Sequence, residues 1–367
     1  MEHHCSRSLS TRYVGVLPHE RFDMTTNLTP RGAAVLDVVV RHFIATGRPA
    51  GSVTVAQQLI EGISSATVRN VMAELARQGY LTQPHTSAGR APTARGYVAY
   101  VEHLIRYGDL QRVDEDRMRE RLGEVPPEID AVLQRACSVL SEMTQHVGMV
   151  LAPPPAEADI RHVELVRVGP DSVAVVFVTT GGQVHTRTVV FDEQLAECEL
   201  EEAADFLRRR FAGYTLRELR ERVIAQCSKG SSRPELLAVR LVRRSLRESI
   251  DRAEVFVEGA FRLLDSPELA ERATLPDIFA AFEEPSEISR LLAECGAESG
   301  PHVLIGRDGL PEALRGCALV AAGYGSGTRP SGALGVLGPA RMHYERTIPM
   351  VTTMARVTGD VVTRLCA

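Results

Sequence analysis

The segment that most constrains the fold of this chain runs from residue 62 to residue 93 and reads GISSATVRNVMAELARQGYLTQPHTSAGRAPT. Val68, Met72 and Leu75 recur at positions i, i+4 and i+7, which predicts an amphipathic helix that buries one apolar stripe. Such a helix could also be an ordinary solvated helix on a protein surface. The segments beside it therefore decide the interpretation.

Start and stop signals bound this predicted helix. Ser64 or Ser65 can cap its first free N–H groups, and Gly79 predicts its end because glycine readily adopts the left-handed conformation. A small basic hairpin follows at once, over residues 80–92. One helix face and one positively charged loop are thereby expected on the same side of a domain, an arrangement that suits the groove and backbone of duplex DNA.

The side of the helix opposite the apolar stripe is small, polar and cationic. Arginine can bind guanine and asparagine can bind adenine through paired hydrogen bonds, so we expect Thr67, Arg69 and Asn70 to lie near base edges. We expect side chains of the hairpin to touch phosphate or the minor groove. The expected DNA-binding residues are Ser65, Thr67, Arg69, Asn70, Arg77, His85, Ser87 and Arg90.

Two further helices are predicted upstream. Residues 54–60 (TVAQQLI) predict a short helix capped by Thr54, and a short connection containing glycine joins it to the next helix. A first helix begins with Thr29 as N-cap and Pro30 in its first turn, where a missing N–H costs nothing, and it ends at Gly47. The helix over residues 54–60 and the helix that follows residue 62, joined by this short connection, form a helix-turn-helix.

Downstream, residues 80–83 predict a short strand and residues 84–89 a turn rich in Pro, Ser, Thr and Gly. Thr93 is expected to cap a closing helix. Three helices, a hairpin and this last helix together predict a winged helix-turn-helix domain over residues 27–108.

Charge is distributed in agreement with this interpretation. Residues 28–107 hold eight arginines and four acids, a formal charge of +4. The first 27 residues balance at zero and the whole chain carries −5, so the remaining 260 residues carry −9. Positive charge is therefore concentrated in the segment with groove-reading geometry, which supports nucleic-acid binding.

Two long stretches of the chain resemble the heat-inducible transcription repressor family, HrcA. One is SSATVRNVMAELARQGYLTQPHTSAGRAPT with the following GYVAYVEHL, and the other is GALGVLGPARMHYERTIPMV near the C-terminus. The resemblance implies a homodimer that represses chaperone operons by binding an inverted repeat called CIRCE. It also implies that a GroE-type chaperonin supports this activity and that heat shock relieves repression. The implied fold is a winged helix, a GAF-like domain and a dimerisation domain inserted within the latter.

The rest of the chain predicts a multidomain α+β protein. Apolar strands between residues 162 and 191, joined by turn residues, predict an antiparallel meander, and strands reappear only after residue 302. A sheet that opens after Phe191 and resumes near Val303 fits an α+β domain with an insertion. With names taken from the resemblance, the division is an N-terminal extension over 1–26, the winged helix over 27–108, a GAF-like domain in two parts over 109–196 and 298–367, and an inserted dimerisation domain over 197–297.

Within these divisions the pattern predicts helices over residues 110–122, 128–150 and 348–365, and a strand over residues 254–259. Residues 196–297 are expected to be largely helical. Residues 1–23 of the N-terminal extension lack the apolar core of a signal peptide and precede Met24, a plausible translation start. They are expected to be disordered or untranslated, the alternative being a flexible arm that touches DNA.

The sequence carries few signals of enzymatic chemistry. It contains no GxxxxGK[ST], HExxH or GxSxG motif, and the seven cysteines are dispersed without CxxC spacing. We therefore expect no catalytic residues, no metal and no cofactor, and we interpret the cysteines as reduced thiols. His162 and His185, on neighbouring predicted strands, and the glycine-rich run of residues 323–327 are interpreted as surface and loop features.

Two classes of DNA-binding protein compete: a repressor that senses chaperonin availability, and a regulator that senses a small molecule through its GAF-like domain. They differ in whether operator affinity responds to added chaperonin or to a metabolite. An enzyme or scaffold that does not bind DNA is the third alternative. No apolar run approaches the roughly 20 residues needed to cross a bilayer, so we expect a cytoplasmic protein without a membrane partner.

Overall fold

The computed structural model of the chain describes residues 28–59, 62–85, 88–107, 113–126, 128–191, 195–225, 232–246, 253–266, 269, 280, 282, 286–298, 300–306, 310–314, 316–325 and 331–366. The predictions for the N-terminal extension and for Ser87 lie outside these residues. Helices and sheets are mixed along the chain, which confirms the α+β class.

Most of the secondary structure is helical. The α-helices are α1 (Pro30–Thr46), α2 (Ser52–Gln58), α3 (Ser65–Arg77), α4 (Ala94–Tyr107), α5 (Glu115–Gly123), α6 (Ile129–Thr144), α7 (Glu197–Phe211), α8 (Leu216–Ala225), α9 (Arg233–Ser245), α10 (Ser286–Ala297) and α11 (Tyr344–Cys366). Short 3-10 helices occupy Pro155–Glu157, Ala260–Asp265 and Glu312–Leu314.

The strands are short and pair in three sheets. They are β1 (Leu81–Thr82), β2 (Ala91–Pro92), β3 (Val147–Leu151), β4 (Ile160–Arg167), β5 (Ser172–Thr179), β6 (Val184–Val190), β7 (Val255–Glu258), β8 (Pro301–Ile305), β9 (Cys317–Tyr324) and β10 (Gly332–Pro339). Strands β1 and β2 form a hairpin, β4–β5–β6 form a three-stranded sheet, and the other five form a sheet in the order β7-β3-β10-β9-β8.

The N-terminal unit, residues 28–107, contains α1 to α4 and the β1–β2 hairpin. The hydroxyl of Thr29 accepts a hydrogen bond from the N–H of Gly32 at 3.1 Å, and Gly47 ends α1 with a φ of 67°, so both predicted boundaries of α1 are confirmed. The predicted start of α2 is wrong. It begins at Ser52, after Gly51 and without a side-chain cap, because the preceding backbone of Ala50 is paired with Arg90 and the chain turns into the helix directly after that pairing.

The five-stranded sheet is antiparallel throughout. Strands β8, β9 and β10 confirm the prediction that strands reappear after residue 302. Helices α6 and α11 cover one face, and α10 packs on the other. The sheet is thus a buried layer between helices, and its strands are correspondingly apolar on both sides.

The predicted membership of this sheet is wrong for β3 and β7, which belong to it, and for β4, β5 and β6, which do not. Strand β3 was expected to be the end of a helix, but α6 ends at Thr144 and the next residue, Gln145, is left-handed with a φ of 59°. Val147–Leu151 pairs with both β7 and β10. Strand β7, a predicted strand, is the edge of this sheet. The sheet therefore opens after Leu151 and resumes at Val255, earlier in the chain at both points than expected.

Strands β4, β5 and β6 form the predicted meander, but in a sheet of their own. Their inner face packs on α7, α8 and α9 in a hydrophobic core made by residues between 156 and 246. The almost wholly apolar β5 is the central strand. We call residues 155–246 the three-stranded unit, and it is inserted between β3 and β7 of the five-stranded sheet.

Helix α11 begins four residues before its predicted start at residue 348. Pro349 lies inside the helix rather than at its start. The earlier turn forms because Tyr344 is fully buried and its hydroxyl donates to the carbonyl of Ala340 at 2.6 Å.

Cysteine is not used for cross-links among the described residues, where Cys137, Cys198, Cys295 and Cys317 are free thiols. All but Cys198 are buried, and burial raises the pKa of Cys295 and Cys317 to about 12. Such thiols stay protonated and unreactive near neutral pH.

Candidate nucleic-acid interface

Helix α3 is bounded as its sequence predicts. The hydroxyl of Ser64 accepts the N–H of Thr67 at 3.2 Å, which identifies Ser64 as the N-cap. At the other end Gly79 is left-handed, with the N–H of Tyr80 bonded to the carbonyl of Leu75 at 2.9 Å and that of Gly79 to Ala76 at 3.1 Å. This pair of bonds is a Schellman cap, and it terminates the helix sharply.

The two faces of α3 are clearly separated. Val68, Met72 and Leu75 are buried against the rest of the N-terminal unit, which confirms the predicted stripe. The side chains on the opposite face are all exposed, and they belong to Ala66, Arg69, Asn70, Ala73 and Arg77. Their spacing follows one face of a helix over three turns.

Arg69 is available for a partner outside the chain. It is exposed, and in the described part of the chain no carboxylate pairs with it. Asn70, its neighbour on the same face, is also exposed. Guanidinium and amide groups on the open face of a helix are the groups that read guanine and adenine in the major groove.

Thr67 and Ser65 are turned differently from Arg69 and Asn70. Both are half-buried, and the hydroxyl of Thr67 lies 2.9 Å from that of Ser64 in a hydrogen bond at the helix start. Thr67 therefore contributes to the cap and lies on the flank of the exposed face.

Arg77 is exposed but already has a partner. Its guanidinium forms an ion pair with Glu74, and the amide of Gln78 donates to the same carboxylate at 2.7 Å. No acid was expected on this side of the helix, but Glu74 reaches its edge from the preceding turn. The positive charge that α3 presents is consequently concentrated at Arg69.

The β1–β2 hairpin is fastened to the start of α2. Ala50 and Arg90 exchange both backbone hydrogen bonds, at 2.8 and 2.9 Å. Gly89 permits this approach, since a β-carbon there would overlap the carbonyl of Ala50. The hairpin base is thus held in place, with His85 exposed near the tip and Arg90 half-buried at the return.

A single threonine connects α3, the hairpin and α4. The hydroxyl of Thr93 donates to the carbonyl of Gly79 at 2.6 Å and accepts the N–H of Gly96 at 3.1 Å, while its own N–H donates to Tyr80 at 3.0 Å. A β-carbon on Gly96 would overlap the carbonyl of Tyr80, so α4 starts in direct contact with the end of α3. The exposed face of α3 and the hairpin therefore share one rigid frame.

Helix α4 also joins the N-terminal unit to the five-stranded sheet. The ring of Tyr344 lies 6.1 Å from that of Tyr97 and 6.5 Å from that of Tyr100, and the Tyr100 hydroxyl donates to Glu345 at 3.3 Å. Burial raises the pKa of both Tyr100 and Tyr344, so their hydroxyls remain neutral hydrogen-bonding groups. Arg341 approaches Gly47 at the end of α1 from the same side.

The histidines considered in the sequence analysis do not form a site. They lie on β4 and β6, which are separated by β5, and their side chains point to opposite faces of the sheet. His162 bonds to Glu164 at 2.9 Å on the exposed face. His185 is half-buried on the other face, where burial lowers its pKa.

Comparison with known proteins identifies the family. The family described as the HrcA protein C-terminal domain has a sequence model that matches residues 130–348. The chain is 33% identical to the heat-inducible transcription repressor HrcA of Geobacter sulfurreducens over 335 residues, covering 90% of this chain and 97% of that protein. The chain belongs to the HrcA family of heat-inducible transcription repressors. The expectation drawn from its two signature stretches is confirmed.

Other members of the family match this chain with similar identity and coverage. The HrcA of Nitratidesulfovibrio vulgaris strain Miyazaki F is 36% identical, with 90% of this chain and 94% of that protein covered. That of Pelotomaculum thermopropionicum is 31% identical, with 92% and 98% covered. A crystal structure described as that of a hypothetical protein has the same fold, with a TM-score of 0.61, 24% identity, and 92% of this chain and 99% of that chain covered.

None of the helices in the described ranges is both long enough and apolar enough for a bilayer crossing.

Proposed function

We propose that this chain is a homodimeric, sequence-specific DNA-binding repressor of heat-shock chaperone operons of the GroE and DnaK type. Its operator would be an inverted repeat of the CIRCE kind. The observation that carries the proposal is the exposed face of α3, where Arg69 and Asn70 stand free of intramolecular ion pairs beside a fixed basic hairpin. Membership of a family of transcription repressors supports it.

In this proposal the N-terminal unit is a winged helix and α3 is its recognition helix. Arg69 and Asn70 read base edges in the major groove, while His85, Ser87 and Arg90 of the hairpin contact phosphate or the minor groove. Ser65 and Thr67, at the helix start, contact the backbone beside the groove. Arg77 exchanges its pairing with Glu74 for a phosphate.

Reading an inverted repeat requires a second copy of the chain, and the three-stranded unit offers a surface for it. The face of its sheet that turns away from α7 and α9 carries valines and threonines on β5 and β6. Val166, Val184 and Val190 on this face are 44%, 61% and 58% exposed. Apolar side chains exposed together on one sheet face are typical of a protein–protein interface.

We therefore assign dimerisation to the three-stranded unit, residues 155–246, and the GAF-like role to the five-stranded sheet with its helices. We call the sheet face that carries Val166, Val184 and Val190 the valine face. Two copies joined through the valine face would carry two N-terminal units. The two-fold axis of such a dimer matches the two-fold symmetry of an inverted repeat.

Release on heating, with support by a GroE-type chaperonin, completes the proposal. Chaperonins bind chains that expose apolar surface, and a repressor that loses its dimer on heating exposes the valine face. The same event separates the two recognition helices. Protein that has been heated should therefore recover its operator binding faster when chaperonin is added.

The direct test is binding to the DNA upstream of chaperone genes. Fluorescence anisotropy would compare a duplex carrying the inverted repeat with a duplex of equal length and composition whose half-sites are scrambled, at several salt concentrations. We expect the duplex with the inverted repeat to be bound tightly by one dimer. The scrambled duplex should be bound only weakly, with an affinity that depends strongly on salt. Equal affinity for both duplexes, or a monomer in sedimentation at the binding concentration, would contradict the proposal.

A regulator that senses a small molecule is the second candidate. A cavity of about 420 Å³ lies between the three-stranded unit and the five-stranded sheet, with Pro154, Asp159, Thr180 and Ser331 among its lining residues. A ligand there would contact both units and could shift one against the other. Operator affinity that responds to a metabolite extract but not to chaperonin would favour this candidate.

A further inference from the structure

An arginine outside α3 and the hairpin occupies the point where the two meet. Arg95 is the second residue of α4, and its guanidinium carbon lies 4.7 Å from the centre of the Tyr80 ring. One of its terminal nitrogens is 3.9 Å from the position that a β-carbon on Gly79 would take. The guanidinium therefore covers the short connection by which the chain leaves α3 and enters β1.

The charge of Arg95 is not used inside the protein. Its side chain is exposed, and among the described residues no carboxylate pairs with it. The arginine is nevertheless held in place, because Tyr80 is 96% buried and offers a fixed ring face. A cation stacked on a ring keeps its N–H edge free for a further partner.

The place of this group in a protein–DNA complex follows from the geometry of the N-terminal unit. A recognition helix lies in the major groove and the wing lies beside it, so the sugar-phosphate strand that borders the groove must pass between them. In this chain Gly79 and Tyr80 form the connection between α3 and the hairpin, and Arg95 lies against both residues.

We propose that Arg95, oriented by the ring of Tyr80, binds a DNA phosphate where the backbone strand passes between α3 and the hairpin. This inference rests on the proposed DNA-binding function and adds a contact that carries no sequence information. The stacked side chain is preorganised, so it loses little freedom when it binds. A planar guanidinium suits the phosphate group, with which it can form two hydrogen bonds at once.

The test uses the full-length protein and its salt dependence. Each phosphate contact contributes about 0.9 to the slope of log affinity against log salt, so Arg95→Ala should reduce the slope of a dimer by about 1.8. Affinity should fall by the same factor on the inverted repeat and on a random duplex. Arg106→Ala is the matched control, since it removes an equal charge from the exposed last turn of the same helix, about 16 Å away.

Variants of Tyr80 separate a contact role from a structural one. Tyr80→Phe keeps the ring face and should bind as the unchanged protein does. Tyr80→Leu should weaken binding, and combining it with Arg95→Ala should cause no further loss beyond that of Arg95→Ala alone. Circular dichroism would establish that each variant is folded before its slope is measured.

An unchanged salt slope in Arg95→Ala would overturn the inference, and so would an equal change of slope in Arg106→Ala. Weaker binding without a change of slope would also overturn it, because it would make Arg95 a structural residue only. These outcomes are distinct from failure of the proposed function, which would appear as a lack of preference for the inverted repeat in the unchanged protein.

Discussion

Replacing Arg69 by alanine should abolish most of the preference for the inverted repeat while leaving the fold intact. The side chain is exposed and has no ion-pair partner in the described part of the chain, so its removal costs the folded protein little. The alanine is also a good helix former in the middle of α3. Any loss of DNA binding is then a loss of contacts to DNA.

The size of the loss follows from the two-fold symmetry. One bidentate contact between arginine and guanine contributes about 1–3 kcal/mol of discrimination. A dimer on both half-sites loses two such contacts, about 2–6 kcal/mol, which is a roughly 30-fold to 20,000-fold weaker complex. On a duplex with one half-site scrambled, only one contact remains to be lost, and the penalty shrinks to roughly 5-fold to 140-fold.

Fluorescence anisotropy with three duplexes measures these penalties: two half-sites, one half-site, and none. Arg106→Ala, with the same change of charge in the same unit, should bind all three as the unchanged protein does. The reasoning is refuted if Arg69→Ala loses the same factor on all three duplexes, since that would make Arg69 a phosphate contact. It is also refuted if the free-energy penalty is no larger with two half-sites than with one.

Three further predictions concern the rest of the chain. Val184→Asp places a charge on the valine face at a residue that is 61% exposed, and should yield a folded monomer in analytical ultracentrifugation. Gly96→Ala forces a β-carbon onto the carbonyl of Tyr80 and should destabilise by about 1–3 kcal/mol in urea unfolding, whereas Gly123→Ala, with open space around it, should not. Burial lowers the pKa of His146 to about 4. Between this value and about pH 6.5 the unfolded chain binds more protons at His146 than the folded chain does, so the free energy of unfolding should fall as the pH falls from about 6.5 to about 4. The fall should be smaller in His146→Gln.

The candidate interface was largely predictable because its signals are local. The caps Thr29 and Ser64, the glycines that end α1 and α3, and the spacing of Val68, Met72 and Leu75 each act within a few residues. The ion pair of Glu74 with Arg77 also has a local signal, opposite charges three residues apart on a helix, which the sequence analysis did not use.

The arrangement of the sheets could not be predicted in the same way. The run Val147–Leu151 is short and apolar, and it follows a helix that ends at a left-handed glutamine, a residue that gives no helix-stop signal. Its partners are more than 100 residues away in β7 and β10. The position of Arg95 over Tyr80 is likewise a tertiary contact, between α4 and the end of α3, that no sequence period encodes.

The continuity of the core bears on how heat could act on DNA binding. One hydrophobic cluster runs from Val35 of α1 through Tyr97 and Tyr100 of α4 to Tyr344 and the five-stranded sheet. Helix α4 in turn holds the end of α3 through Thr93. Residues that share a core tend to unfold as one cooperative unit. Melting of the sheet core would therefore remove the support of α3 at the same time. Under the proposed function, heating would then release the operator without a separate switch in the N-terminal unit.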